Sequence, residues 1–255
     1  MMPLDFRDQK GLVESLRGAT TLISTYWIRF AHRGVTHEGA VENIKTLIAA
    51  ARQAGVRRFV QISITGASAS SSLPYFRGKG IIEDTLRASR LSYAIIRPTV
   101  IFGPEDILIN NIAWSLSTFP LFMIPGDGEY RMQPVFVEDL AELVVNASRE
   151  SSNVELDAVG PEIFTFNDLV DCIGSALHLN PRNLHVPGIV ALAAASVIGW
   201  LKGDVMLTAD EIRGLSASLL VSAQPPRAKT RLSDWLQQNA ATVGASYFSE
   251  LARRT

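Results

Sequence analysis

Short apolar runs alternate with helical patterns through the first hundred residues, and this alternation constrains the fold more than any other feature of the chain. The runs TTLISTYW, RFVQISIT and LSYAIIRP are rich in β-branched and aromatic residues, which favour strands. Residues 36–54 place Ala40, Ile44 and Ala51 on one helical face and stop at Gly55. Strands that alternate with helices of this length form βαβ units, so the sequence predicts an α/β protein with a parallel sheet.

The pattern changes after Pro98, where glycine and proline interrupt the segment FGPEDILINN. A helix through Leu116, a short strand QPVFV, a helix EDLAELVVNAS and a strand NVELDAVG follow. From Pro161 onward the patterns are mainly helical. We therefore predict a core domain over residues 1–160 and a small, mostly helical C-terminal lobe over residues 161–255.

Charge and cysteine content narrow the range of partners. The formal net charge is −1 and no sustained basic run occurs, so nucleic acid is not expected as a partner. Cys172 is the single cysteine and cannot form an internal disulfide, and the four histidines show no metal-ligand spacing. These features predict a protein without a metal site in a reducing, cytoplasmic setting.

The apolar segment IVALAAASVIGWL, residues 189–201, raises the question of a membrane. Its 13 residues fall in the range of about 10–14 that is typical of a buried or interfacial helix and is too short for a span. We predict a core helix or a contact within the lobe, with attachment to a membrane surface as the alternative.

The helix that follows the second strand carries a pair of residues suited to proton transfer. Tyr75 and Lys79 are four residues apart and therefore share a helix face, where the ammonium would stabilise a tyrosine phenolate. Ser63 and Thr65 lie at the end of the preceding strand, the edge that faces the ligand crevice in an open parallel sheet. The alternative is that both hydroxyls only satisfy backbone groups of the loop.

Three blocks in order, LPYFRGK, RPTVIFGPED and QPVFVEDLA, resemble the short-chain dehydrogenase/reductase superfamily. The likeness is to its atypical and extended branch, which includes NAD-dependent epimerases and dehydratases, NmrA-like proteins and the Rossmann-type accessory subunit of respiratory complex I. It covers nearly the whole chain and implies a Rossmann-like, doubly wound parallel sheet. It also implies NAD or NADP as cofactor and a small-molecule substrate.

The resemblance implies roles for residues in the first block and in the strand before it. Tyr75 would be the general acid or base, and Lys79 would be its partner and a ribose ligand. Thr65 would be the hydroxyl that orients the substrate, with Ser63 as its substitute.

Further positions match residues that border the cofactor in the family. They are Asp5, Phe6, Ser24, Thr25, Asn43, Lys79, Pro98 and Thr99. Ordinary structural roles stay open for several of them: Asp5 as a cap, Asn43 as a solvated helix residue and Pro98 as a strand terminator.

One family feature is missing from the sequence. None of the 18 glycines forms a G-x-x-G-x-x-G or G-x-G-x-x-G pattern, which in relatives supplies the backbone amides that hold the pyrophosphate. The family match begins only at LDFRD, so the resemblance implies an N-terminally incomplete sheet. A start codon assigned too late, a truncated gene, or a homodimer or partner that covers the exposed sheet edge would each explain this. We expect weak or absent dinucleotide binding by these 255 residues.

Two functional hypotheses follow. The first is an NAD(P)-dependent oxidoreductase or epimerase in which Tyr75 transfers a proton. The second is a non-catalytic Rossmann-type accessory or sensor protein. Fold-level likeness names no substrate, although the apolar segment at residues 189–201 motivates an apolar one such as a quinone.

Overall fold

The computed structural model describes residues 4–180 and 182–254. In the first part of the chain the elements are α1 (Gln9–Leu16), β1 (Thr21–Ser24), α2 (His37–Ala54), β2 (Arg58–Ile62), α3 (Pro74–Ala88), β3 (Ser92–Pro98), β4 (Ile101–Phe102) and α4 (Leu108–Thr118). They are followed by β5 (Leu121–Pro125), β6 (Arg131–Met132), β7 (Val135–Phe136), α5 (Val137–Arg149), β8 (Val154–Ala158), β9 (Phe164–Thr165), α6 (Phe166–Ala176), β10 (Arg182–Val186), α7 (Gly188–Lys202), α8 (Ala209–Ser216) and α9 (Leu232–Asn239).

The described chain forms two compact units, and each contains a hydrophobic core of its own. The first unit comprises the chain up to Pro98 together with Ala141–Ala158, and the second comprises Thr99–Leu140 together with the chain from Val159 onward. Residues 99–140 therefore pack with the C-terminal part, whereas the sequence pattern assigned them to the core domain. The physical reason is that Phe102, Ile109 and Met132 are fully buried in the core of the second unit.

The first unit is built on a parallel sheet with strand order β1, β2, β3, β8. Phe59 of β2 lies beneath α1, α2 and α3 in one buried cluster. Arg58 points to the opposite face of the same strand, where its Nε donates to the Ala147 carbonyl of α5 at 2.8 Å. Helices thus cover both faces, and the predicted α/β fold with a parallel, doubly wound sheet is confirmed.

Local sequence signals explain the bounds of α2, which joins β1 to β2. The Thr36 hydroxyl accepts a hydrogen bond from the Gly39 amide at 3.0 Å and so caps the first turn. Gly55 ends the helix in the left-handed region at φ 81°, a conformation that glycine adopts without a steric penalty.

The second unit combines helices with short paired strands. The helices α4, α6 and α9 surround its core. Within the described residues, β5 pairs with β10 and β4 pairs with β7 in parallel, while β6 pairs with β9 in an antiparallel arrangement. The predicted helical lobe therefore also contains strands.

The apolar segment forms α7, which contacts β5 and α8 within the second unit as the prediction of a contact within the lobe allowed, but it is not a core helix. Only its small residues Ala191, Ala195 and Gly199 are buried. A methyl group on Gly199 would lie 2.6 Å from the Asp204 carbonyl oxygen, so this stripe of small residues allows a close backbone approach. The large residues at 189, 190, 197, 200 and 201 are exposed instead. None of the helices in the described part of the chain is long and apolar enough to cross a membrane.

Candidate functional site

The carboxyl ends of β1, β2 and β3 meet at one edge of the parallel sheet. Register pairs Ser24 with Gln61, and beyond β2 the chain stays attached to β3. There the Ser63 amide donates to the Ile96 carbonyl at 2.7 Å, and the Thr65 amide donates to the Pro98 carbonyl at 3.1 Å. Ser63 and Thr65 therefore lie at the edge where ligands bind in open α/β sheets, and both are buried there.

Lys79 of α3 is inserted beneath this edge and is only 3% exposed. Its ammonium donates to the Ile62 carbonyl at 2.7 Å, and the Gln61 side-chain amide donates to the same oxygen at 2.8 Å. The ammonium also lies 4.7 Å from the centroid of the Trp27 ring. Burial lowers the pKa of Lys79 to about 7, although the charge of Glu83 opposes this shift. A lysine with this pKa can hold or release a proton near neutral pH.

Tyr75 lies in the first turn of α3, which begins at Pro74 without a side-chain cap. Its ring meets the Trp27 ring edge to face at 5.7 Å and the His37 ring at 6.0 Å. Tyr75 is half-buried. The Trp27 ring thus joins both members of the predicted pair, since it contacts the Tyr75 ring and the Lys79 ammonium.

Ser63 contributes to a buried ionic network rather than standing free at the edge. Its hydroxyl donates to Glu83 at 2.6 Å, and Arg97 binds the same carboxylate through two nitrogens at 2.9 and 2.7 Å. Arg97 and Arg87 both also bind Glu155. Hydrogen bonds from Arg87, supported by Arg97, hold the pKa of Glu155 at about 2. Glu83 is 2% exposed, so this network is an internal anchor of α3.

Two of the predicted cofactor residues meet at Tyr26, which follows β1. The Phe6 ring lies 4.9 Å from the Tyr26 ring, and the Asn43 amide donates to the Tyr26 hydroxyl at 2.8 Å. Asp5 is exposed and pairs with the Arg7 side chain at 3.1 Å, and these hydrogen bonds lower the pKa of Asp5. Phe6 and Asn43 therefore both contact Tyr26, while Asp5 forms its ion pair with Arg7, two residues later.

The other predicted cofactor residues differ in their surroundings. Ser24 is buried, and among the described residues its hydroxyl has no hydrogen-bond partner. Thr25, the next residue, is exposed, whereas Pro98 at the end of β3 is buried. Thr99 belongs to the second unit, where its hydroxyl donates to the Gln133 carbonyl. Its predicted place beside the cofactor stays a prediction.

These surroundings fit one end of a dinucleotide. The Ser24 hydroxyl and the indole nitrogen of Trp27 are buried polar groups that lack hydrogen-bond partners within the described residues. Together with Lys79 and Thr65 they offer hydroxyl, ammonium and aromatic groups of the kind that contact a ribose and a nicotinamide ring. The sequence offers no glycine-rich loop for the pyrophosphate.

Trp27 and the Glu83 network were not identified from the sequence. The only signal for Trp27 was its position at the end of the run TTLISTYW, in the aromatic pair Tyr26 and Trp27. Glu83 follows Lys79 by four positions on α3, but its partner Arg97 lies on strand β3. Such contacts between distant segments leave no trace in local spacing.

The parallel sheet with helices on both faces defines a Rossmann-like fold of the kind found in NAD-dependent epimerases and reductases. Residues 1–107 match a family model described as NAD(P)H-binding. The likeness to this class and to the complex I accessory subunit, inferred from the three motifs, is confirmed.

The chain is similar to a complex I subunit of Arabidopsis thaliana, NADH dehydrogenase (ubiquinone) 1 alpha subcomplex subunit 9, mitochondrial. The two are 26% identical over 234 residues, which cover 87% of this chain and 58% of that relative. The chain thus spans little more than half the length of this relative.

Two solved structures share the fold. A nucleoside-diphosphate-sugar epimerase from Staphylococcus aureus superimposes with a TM-score of 0.71 at 18% identity, covering 91% of this chain and 81% of its own. The NADPH-dependent quinone oxidoreductase QOR2 from Escherichia coli, in complex with NADPH, gives a TM-score of 0.73 at 18% identity. The match covers 92% of this chain and 81% of the oxidoreductase.

Proposed function

We propose that this chain is the catalytic core of an NAD(P)-dependent oxidoreductase or epimerase in which Tyr75 transfers a proton. The observation that carries the proposal is the burial of Lys79, one helical turn from Tyr75 and below the carboxyl edge of the sheet. Burying a lysine ammonium costs free energy because it removes the charge from water. Lysines whose pKa is perturbed in this way cluster at functional sites.

The residues divide the chemistry among them in this proposal. Tyr75 would exchange a proton with a substrate oxygen, and Thr65 would hydrogen-bond the same oxygen and orient it. Lys79 would stabilise the phenolate after proton transfer and contact the ribose. Ser24 and Pro98 would border the nicotinamide, whose chemical contribution when bound is to accept or donate hydride. Ser63 would substitute for Thr65 only if its hydroxyl left Glu83.

The substrate class is also a proposal. The solved structures with this fold include a quinone oxidoreductase and a nucleotide-sugar epimerase. An apolar acceptor such as a quinone is the substrate class we favour, on the fold shared with the quinone oxidoreductase.

A second candidate function is a non-catalytic accessory protein. It is supported by the similarity to a subunit named as part of NADH dehydrogenase. In that case the fold would serve assembly, with or without a bound dinucleotide, and the exposed edge of β1 could be covered by a partner or by a second copy.

The test is turnover with a matched pair of tyrosine variants. NADH or NADPH oxidation is followed with a soluble short-chain ubiquinone, and UDP-glucose is tested separately for epimerisation. Tyr75→Phe should lower turnover about 10²–10⁴-fold without weakening nucleotide binding. Tyr93→Phe removes a hydroxyl that contacts Glu155 and should leave turnover unchanged.

Equal turnover by the Tyr75 variant and the wild type would refute the catalytic proposal. Nucleotide binding without turnover on either substrate would favour the accessory function instead.

A further inference from the structure

The helix α7 has its side chains distributed in the opposite way from an ordinary surface helix. Its buried positions are the small residues Ala191, Ala195 and Gly199. Its large residues face outward: Trp200 is 80% exposed, Ile189 77% and Leu201 68%. A surface helix normally buries its large apolar residues and exposes polar ones. An exposed apolar face of this kind marks an interaction site.

The outward face of α7 carries almost no polar group that would resist removal from water. No acidic residue occurs between Gly188 and Lys202. Ser196 lies on the exposed face, but its hydroxyl donates to the Leu192 carbonyl at 2.7 Å and is satisfied within the helix. Covering this face therefore buries apolar surface without leaving an unpaired polar group.

Exposed apolar residues also lie on the two-stranded sheet of β5 and β10, and α7 contacts β5. Leu121 and Met123 are exposed on one face of β5, and Leu184 of β10 pairs with Met123 in register. Arg182 pairs with Leu121 and places a basic side chain on the same face.

The C-terminal end of α7 is linked to this sheet through stacked side chains. The Lys202 ammonium lies 4.8 Å from the Trp114 ring, and Trp114 packs edge to face on the exposed Phe119 at 5.6 Å. Phe119 lies two residues before Leu121 of β5. We call the combined face of α7, β5 and β10 the α7 surface.

The charges of the α7 surface indicate which partner it fits. Its cations, Arg182 and Lys202, flank an apolar area that includes Trp200, as in helices that lie at a membrane interface. In a symmetric dimer through this face, antiparallel α7 helices would bring Lys202 to the partner helix's N-terminus, and parallel helices would bring the two lysines together. Both arrangements oppose like charges.

We propose that the α7 surface binds the surface of an anionic phospholipid bilayer, with α7 lying in the plane of the headgroups. The helix has 15 residues and is about 22 Å long at 1.5 Å per residue, which suits a helix that rests on a bilayer without crossing it. Large apolar side chains enter the acyl boundary, and the cations meet the lipid phosphates. This inference does not depend on the proposed catalytic function.

Flotation with lipid vesicles tests the proposal. The protein should float with vesicles of phosphatidylcholine and phosphatidylglycerol, and less with phosphatidylcholine alone. Val197→Asp places a charge on the exposed apolar face and should reduce binding about tenfold or more. The matched control is Val145→Asp, an exposed valine on helix α5 of the other unit, which should bind as the wild type does.

A second variant separates binding from folding. Trp200→Gln removes a side chain that is 80% exposed, so the fold should persist while vesicle binding falls. In the wild type, vesicles with brominated acyl chains should quench tryptophan fluorescence, and the variant should lose that quenching.

The proposal would be overturned if the wild type failed to float with the vesicles. It would also be overturned if both α7 variants floated as well as the wild type. A concentration-dependent dimer that Val197→Asp dissolves, without lipid binding, would assign the α7 surface to a second copy of the chain and overturn it as well.

Discussion

The Lys79 ammonium lies 4.7 Å from the centroid of the Trp27 ring while it donates a hydrogen bond to the Ile62 carbonyl. The carbonyl dipole and the face of the indole both stabilise a cation, whereas burial destabilises it. The result is a lysine whose pKa is about 7 in the folded protein. Its protonation state therefore changes close to physiological pH.

Replacing this lysine should remove a pH dependence of stability. The pKa of Lys79 is about 7 in the folded state, against 10.5 for a lysine exposed to water, so between these pH values the unfolded chain binds more protons. Wild-type stability should therefore rise with pH relative to Lys79→Met, by about 1–3 kcal/mol from pH 7 to 9. Urea unfolding of both proteins at three pH values measures this difference. A constant difference would contradict the assigned pKa.

The Glu83 carboxylate should be among the most sensitive positions of the first unit. Glu83→Gln removes the buried carboxylate that Arg97 binds through two nitrogens, although Arg97 keeps its contact with Glu155, and should cost about 1–3 kcal/mol in the free energy of unfolding. Asp84→Asn removes an adjacent ion pair with Arg87 in which the carboxylate is 63% exposed, and it should cost less than about 1 kcal/mol. Similar losses for the two variants would show that Glu83 is not an anchor.

Gly80 should not tolerate even a methyl group. A Cβ there would lie 2.2 Å from the Ser68 carbonyl carbon and 2.3 Å from the Ala69 nitrogen, both backbone atoms that cannot rotate away. Gly80→Ala should therefore destabilise the protein by about 1–3 kcal/mol or more. In α2, Gly39→Ala meets only the Thr36 hydroxyl at 3.4 Å and should be neutral or stabilising. Thermal unfolding distinguishes the pair, and equal midpoints would contradict the close approach.

Dinucleotide binding should be weak in the 255-residue chain. Charge-assisted hydrogen bonds contribute about 1.5–3 kcal/mol each, so the lack of two pyrophosphate contacts weakens binding by about 10²–10⁴-fold. We expect a Kd for NADPH and NADH of about 1 mM or weaker, measured by tryptophan fluorescence because Trp27 lies at the site. Micromolar binding would show that other residues hold the pyrophosphate.

The sheet and the position of the site could be predicted from the sequence because both depend on local signals. The β-branched runs predicted β1, β2 and β3, and the spacing of Tyr75 and Lys79 placed both on one face of α3. Thr36 and Gly55 marked the ends of α2 through cap chemistry that acts over three or four residues. Each of these signals lies within a few consecutive residues.

Contacts between distant segments could not be predicted in the same way. The Trp27 ring meets Lys79 across 52 positions of sequence, and Glu83 meets Arg97 from another element. The sequence also did not predict that α7 is exposed. An apolar composition shows that a segment tends to leave water, but it does not show whether the rest of the chain buries that segment.

Different kinds of contact hold the two ends of α3. The carboxylate is tied to Ser63 beyond β2 and to Arg97 on β3, and through Arg97 to Glu155 on β8. The opposite end, which carries Tyr75, begins without a side-chain cap. Ring contacts with Trp27 and His37 therefore hold the Tyr75 end of the helix, whereas buried ion pairs hold the Glu83 end.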